Sequence, residues 1–326
     1  WFMARRSLQG LRAGRRWGEA VFAGTPASWQ AAVANVGRRP QNGWLLVDEG
    51  PGHTVRWFIG RLGPNERARL RRDVILPRRG RYDCPPLRAV SSFPFGLVRQ
   101  EVTFGDGGAV TVLPQLGTLH VGRLRRWLAQ TARPDERARR TRRRLAHEVE
   151  FQGLRAFHPG DSPRWIHWRT SARRGELMVR EFDQGTHHDL VILLEPYAET
   201  EPSPALEAAI GLAATICWTW THGSDDRVVL AIAGEEAEVV AGFGGPGQEF
   251  MLLEALAGVK GTLRPNPAAL QKKLLDVPLP LGPALLVSSR SESGFADELS
   301  RRLDRPVAWL DGSAPPSFYQ PPQGDS

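Results

Sequence analysis

The chain holds 326 residues with 43 Lys+Arg against 35 Asp+Glu, a net charge of +8, and 41% apolar residues. It is long enough for two domains, each burying its own core, and with 11 Trp and 13 Phe it is too aromatic for a disordered polymer. Two cysteines, Cys84 and Cys217, with no CxxC or Cys/His spacing argue against a disulfide framework, a structural zinc or an iron–sulfur site, and no run of ~18 apolar residues marks a transmembrane helix.

Charge divides the chain. Residues 1–180 carry 34 Lys+Arg and 14 Asp+Glu, a balance of +20, whereas residues 181–326 carry 9 and 21, a balance of −12, and the two sum to +8. At the start, Trp1-Phe2-Met3 precedes Arg5, Arg6, Arg12, Arg15 and Arg16. An aromatic pair followed by arginines fits the cytoplasmic end of a membrane span, and equally a solvated basic terminus. Residues 1–16 are read as a juxtamembrane basic segment.

Residues 17–118 read as a β-sandwich. Ala31–Val36, Trp44–Val47, Thr54–Ile59, Ala68–Leu76 and Ala109–Leu113 are β-branched or aromatic runs, punctuated by Gly, Pro and Asn at 42–43, 50–52, 63–65 and 105–108. Arg78–Tyr82 and Phe93–Leu97 fall between these strands as turns or edges. Residues 119–150 read as an Arg-rich helical linker, a short amphipathic helix followed by seven Arg between Arg133 and Arg144. No aromatic interleaves that run, which weakens a nucleic-acid reading.

From His187 the pattern is α/β. Apolar strands at 188–194, 226–232, 237–240, 283–287 and 306–310 alternate with helices at 204–221, 249–256, 267–275 and 295–303, the order of a doubly wound sheet over residues 184–312. Ser203 is the expected cap of the first of these helices. The tail 313–326, rich in Pro, Gln, Gly and Ser, is expected to be disordered.

Few motifs carry chemistry. There is no GxxxxGK[ST] phosphate loop. Gly242, Gly244 and Gly247 match a dinucleotide spacing, but Pro246 interrupts it and no acid follows at the required distance, so a glycine-rich turn is the reading. Asp161, His167 and Ser171 have the residue types of a triad, without a GxSxG elbow or an evident oxyanion hole. His187 and His188, adjacent on a strand, point to opposite faces and chelate poorly.

The densest segment is Phe151–Asp183, FQGLRAFHPGDSPRWIHWRTSARRGELMVREFD, with six arginines, two tryptophans and two histidines. Arg164–Trp168 and Glu176–Phe182 alternate as strands about a turn or short helix at 170–175, giving an expected hairpin with one arginine-rich face. That face is either a clamp between the domains or a docking surface for an acidic partner.

This segment closely resembles the signature of the family called domain of unknown function 58. The resemblance is carried by Gly153-Leu154-Arg155, Phe157, Pro159-Gly160-Asp161, Arg164, Ile166-His167-Trp168, Ser171-Ala172-Arg173 and Val179-Arg180-Glu181. Phe157 stands where that family usually has Tyr. The resemblance implies two membrane helices ahead of a β-sandwich, then a von Willebrand factor A-like domain of Rossmann-like topology. It also implies genes beside MoxR-type AAA+ ATPases, and brings no established enzymatic activity. Such A-like domains often hold Mg²⁺ through Asp-x-Ser-x-Ser after the first strand. Here Glu195, Tyr197 and Glu199 occupy those positions, so a degenerate, metal-free site is expected, with no cofactor.

The expected protein is therefore a non-enzymatic, membrane-tethered adaptor with its soluble part in the cytoplasm. It would dock a protein partner, such as a MoxR-type ATPase, through Arg155, Asp161, Arg164, His167, Trp168, Ser171, Arg173, Arg180 and Glu181, and would bind no nucleic acid. The alternative is a hydrolase using His167 and Asp161.

Overall fold

The computed structural model describes residues 8–50, 52–93, 96–131, 151–156, 167–182, 189–222, 226–242, 247–280, 282–291 and 294–322, with 151–156 and 179–182 described as backbone. The first part is built of strands β1 (Leu11–Trp17), β2 (Val21–Phe22), β3 (Pro26–Asn35), β4 (Gln41–Gly50), β5 (His53–Leu62), β6 (Arg67–Ile75), β7 (Gly80–Cys84), β8 (Leu87–Ser91), β9 (Gln100–Phe104) and β10 (Gly108–Leu113). They form a three-stranded sheet β1-β3-β6, a four-stranded sheet β5-β4-β8-β9 and a small sheet β2-β10-β7.

Alternation explains the pairing of the two larger sheets. In β3, Ala27, Trp29, Ala31 and Val33 are buried while Gln30 and Ala32 face outward. Their inner faces meet in one core with Trp44, Leu46, Ile59, Leu62, Leu87 and Ala89 from the opposite sheet, the arrangement of a sandwich.

Two expectations change here. Residues 11–16 fall within the expected juxtamembrane segment, yet with Trp17 they form β1, paired with β3 from Leu11↔Asn35 to Trp17↔Trp29. Leu11 is buried and Arg12 and Arg16 are outward, so a half-buried strand hides behind its arginines. Residues 80–84, within the stretch read as a turn or edge strand, form the edge strand β7, and 87–91, which carried no assignment, form β8.

The second part holds β11 (Thr118–Leu119), α1 (Val121–Thr131), β12 (Phe151–Ala156), α2 (Trp168–Arg174), β13 (Met178–Phe182), β14 (Leu190–Glu195), α3 (Pro204–Thr221), β15 (Val228–Ala233), β16 (Ala237–Ala241), α4 (Gln248–Gly258), α5 (Pro267–Leu275), β17 (Ala284–Ser288), α6 (Phe295–Leu303), β18 (Val307–Asp311) and β19 (Tyr319–Gln320). Its five-stranded sheet has the order β16-β15-β14-β17-β18, parallel except for the antiparallel edge β16. Strands β14 and β15 are buried at every residue because helices cover both faces. Leu190, Ile192 and Leu194 face the core under α3 and α4. Val191 and Leu193 face the core under α5 and α6.

Ser203 caps α3, accepting from the Leu206 N–H at 3.3 Å, with Pro204 in the first turn. Helices 204–221, 267–275 and 295–303 fall where the periodicity places them.

The boundary between the two parts differs from a plain linker. Helix α1 buries Leu124 and Leu128 in the core beneath α3, so the first part of the expected linker is packed. The tail expected to be disordered contributes β19, paired with β11, and buries Phe318 and Tyr319 in that core. Gly117 is needed there, because a Cβ would lie 2.3 Å from the Gln320 carbonyl oxygen. Arg79, after β6, joins the two parts. Its guanidinium donates to the carbonyls of Leu256 at 3.2 Å and Val259 at 2.7 Å at the end of α4, and pairs with Glu207 of α3.

Candidate functional site

The signature segment folds around a hydrogen-bonded clip. His167 precedes α2 and its Nδ1 accepts from the Thr170 N–H at 3.3 Å, satisfying a free donor of the first turn. Gly175 ends the helix at φ 72°, its N–H reaching the Ser171 carbonyl at 2.9 Å. The Ser171 hydroxyl donates to the His167 carbonyl at 3.1 Å and accepts from the Met178 N–H at 2.8 Å. The His167 N–H in turn reaches the Met178 carbonyl at 2.8 Å, so helix and strand are locked together.

Strand β13 does not pair with Arg164–Trp168 as expected. Its partner is β12, with Ala156↔Met178, Arg155↔Val179, Leu154↔Arg180 and Gly153↔Glu181, and Trp168 belongs to a helix. The short helix expected at 170–175 is present and starts earlier, at Trp168, because the His167 cap and the left-handed Gly175 bracket it. Asp161 and Arg164 lie outside the described residues. Arg155, Arg180 and Glu181 are placed by the backbone register of the β12–β13 pair.

These bonds bear on chemistry. The Ser171 hydroxyl is buried and bonded to two backbone groups, and the His167 Nδ1 serves the helix start. Both are thus committed to local structure. The outward side of α2 is different. Trp168 is 65% exposed, Arg169, Arg173 and Arg174 are exposed, and Leu177 is 44% exposed. Among the described residues none of these three arginines has an ion pair.

A second cluster sits at the carboxyl edge of the five-stranded sheet. Chain direction turns there from the β15 side of β14 to the β17 side, and the loops after β14 and β17 lead to α3 and α6 on opposite faces. Glu195, Ser288 and Asp311 stand in one row across β14, β17 and β18. The Glu195 carboxylate is 1% exposed and accepts from the Ser288 hydroxyl at 2.7 Å and from Arg290 Nη1 at 3.4 Å. Arg290 also lies over the Tyr197 ring at 4.1 Å. The Tyr197 hydroxyl donates to Glu199 at 2.8 Å, and that carboxylate holds the phenol above its usual titration range.

So Glu195 faces a guanidinium, while Tyr197 and Glu199 are bonded to each other. Among the described residues no group of three or more His, Cys, Asp or Glu could hold a metal ion. Arg290, Ser288 and Ser289 were missed from the sequence. The available signal was Ser-Ser-Arg closing the buried run ALLV next to the turning point of the sheet.

A third cluster, also unforeseen, lies inside the sandwich. Asp48 is 1% exposed, ion-paired with Arg15, and accepts from Trp29 Nε1 at 2.8 Å. His53 Nε2 lies 3.3 Å from the same carboxylate, and its ring packs edge-on to Trp17. Gly50 makes room for that ring, since a Cβ there would lie 2.1 Å from His53 Cε1. A cleft of about 700 Å³ opens beside it between β5 and β6, lined by His53, Arg56, Arg72 and Asp73 among others.

The dinucleotide spacing has no matching fold. The strand before it, β16, is an antiparallel edge, and Gln248 fills the space beside Gly242, where a Cβ would meet it at 2.4 Å. Gly244 lies outside the described residues.

Comparison with known proteins adds the following. The model of the family "Protein of unknown function DUF58" matches residues 153–272, from the signature segment through α5. The "Uncharacterized protein YeaD" of Bacillus subtilis is 31% identical over 70 residues, which cover 22% of this chain and 17% of that protein. This chain therefore matches only a minor part of that relative's length.

Among solved structures, the CARDB domain of a Pyrococcus furiosus protein is 19% identical. It aligns over 32% of this chain and 94% of its own, with a TM-score of 0.24. A GH20 exo-β-N-acetylglucosaminidase of Vibrio harveyi is 8% identical over 59% of this chain and 32% of its own, with a TM-score of 0.24. Likenesses of this size carry no argument about activity.

Proposed function

We propose that the chain is a non-enzymatic adaptor of the domain of unknown function 58 family, whose α/β part is a von Willebrand factor A-like domain. In this reading it is tethered to the cell membrane with its soluble part in the cytoplasm, and docks an acidic protein partner of the MoxR-type AAA+ ATPase class. The observation that carries the docking role is the outward side of α2. It presents Trp168 at 65% exposure beside the exposed Arg169, Arg173 and Arg174. Tryptophan and arginine are the side chains that most often anchor interfaces, and an exposed ring held by a fixed helix loses little entropy on docking.

The clip through His167, Ser171 and Met178 supports the same reading, because it presets the helix without using its outer side chains. The test is pull-down of the MoxR-type ATPase with the wild type and with Trp168→Ala/Arg173→Glu. Loss of capture at an unchanged melting temperature is expected. Retained capture overturns the docking role, and a large drop in melting temperature assigns these residues to a clamp within the chain.

A further inference from the structure

The sheet β1-β3-β6 turns one face inward and leaves the other in solvent. On β1 the outward residues are Arg12, Gly14 and Arg16; on β6 they include Arg67, Arg69 and Arg71. The register aligns them in rows across β3: Arg12, Ala34 and Arg67; Gly14, Ala32 and Arg69; Arg16, Gln30 and Arg71. Two columns rich in arginine therefore flank a middle column of Ala34, Ala32 and Gln30. With neighbouring strands ~4.8 Å apart, the columns stand about 10 Å from each other.

The floor between them is low. A Cβ on Gly14 would meet nothing within 4 Å, and Ala32 is exposed. Among the described residues these five arginines have no ion pair. The nearest acid along the face is Asp73, the next outward position on β6 after Arg71. Like charges this close repel one another in the free protein, and a polyanionic occupant would relieve that repulsion.

We propose that this trough is a docking site for an acidic helix of a protein partner, lying along β3 with acidic side chains reaching both arginine columns. The width decides the occupant. An α-helix is about 10–12 Å across, and it repeats a flank position every ~5–6 Å, close to the ~6.8 Å between alternate strand residues. The short side chains of Ala32 and Ala34 let such a helix approach closely over that part of the floor. A bilayer needs no trough, and the face carries no aromatic ring on which bases could stack. The site is carried by β1, β3 and β6 rather than by α2 with its Trp168 and Arg173, and stands or falls apart from the docking role given to them.

The probe is a labelled helical peptide with Glu on two flanks and Ala on the side between, followed by fluorescence anisotropy on the full chain. Binding that weakens with salt is expected, with affinity falling about ten-fold or more in Arg67→Glu/Arg69→Glu/Arg71→Glu. Ala32→Phe, which fills the floor and leaves every charge, is expected to weaken binding similarly. Trp168→Ala should leave it unchanged.

Arg81→Glu/Arg99→Glu/Arg301→Glu gives the same change in net charge away from the trough. An equal loss there shows bulk attraction and overturns the proposal. So does full binding by Ala32→Phe, and so does a preference for phosphatidylserine vesicles or single-stranded DNA over the peptide. Should the triple variant not fold, Arg12→Glu/Arg16→Glu tests the opposite rim with the same expected loss.

Discussion

At the scale of single residues, Asp48 is the most demanding choice in the chain. A carboxylate at 1% exposure persists because Arg15, the Trp29 N–H and His53 surround it. Replacing it with Ala leaves the Arg15 guanidinium, 10% exposed, bonded to the Cys84 and Pro85 carbonyls but without its carboxylate. Asp48→Ala is expected to lower stability by about 3 kcal/mol in urea unfolding. Gly50→Ala should also destabilise, because its methyl displaces the His53 ring from the carboxylate.

Cys217 gives the pH prediction. Burial raises its thiol well above the ordinary range, so the folded chain keeps a proton that the unfolded chain releases from about pH 8.5 upward. Stability from this group is full below that pH and falls as pH rises above it. Cys217→Ala should flatten the alkaline side of a stability–pH curve. In the folded wild type both cysteines, being buried, should resist a thiol reagent that reacts readily once urea unfolds the chain.

At the scale of elements, the tail is held by one short strand pair and two aromatic side chains. Phe318 and Tyr319 are 3% and 7% exposed in the core under α3. Deleting residues 313–326 uncovers that core, and a loss of about 3 kcal/mol in thermal or urea unfolding is expected. The carboxyl edge of the α/β sheet gives a second prediction. With Arg290 already against Glu195 and Ser288, added Mg²⁺ should leave the melting temperature unchanged, and a clear rise would show a metal site there. Much of this level is readable beforehand: Ser203 with Pro204 announces α3 by cap chemistry. The body of α2 is legible as a turn or short helix at 170–175, but its start at Trp168 is hidden, because a His167 cap is unusual and 164–168 alternates like a strand.

At the scale of the whole molecule, the strand-rich and α/β parts are bolted together by Arg79. It fills the carbonyl end of α4, where a cation is favoured by the helix dipole, and reaches Glu207 on the neighbouring helix. Arg79→Ala should cost about 2 kcal/mol and separate a single melting transition into two, read by calorimetry.

What the sequence determined by itself was whatever depends on neighbours in the chain: the buried runs of β14 and β17, the cap of α3, the lengths of α3, α5 and α6, and the arginine-rich signature. Tertiary structure alone decided what depends on distant partners. Leu11–Trp17 became a strand only through β3, the tail became ordered only through β11, and Arg12 and Arg16 met Arg67, Arg69 and Arg71 only across a ladder. The physical reason is that capping and periodicity act within a few residues, whereas register, ion pairing in a core and the rows of a sheet face are set by chain segments far apart in sequence.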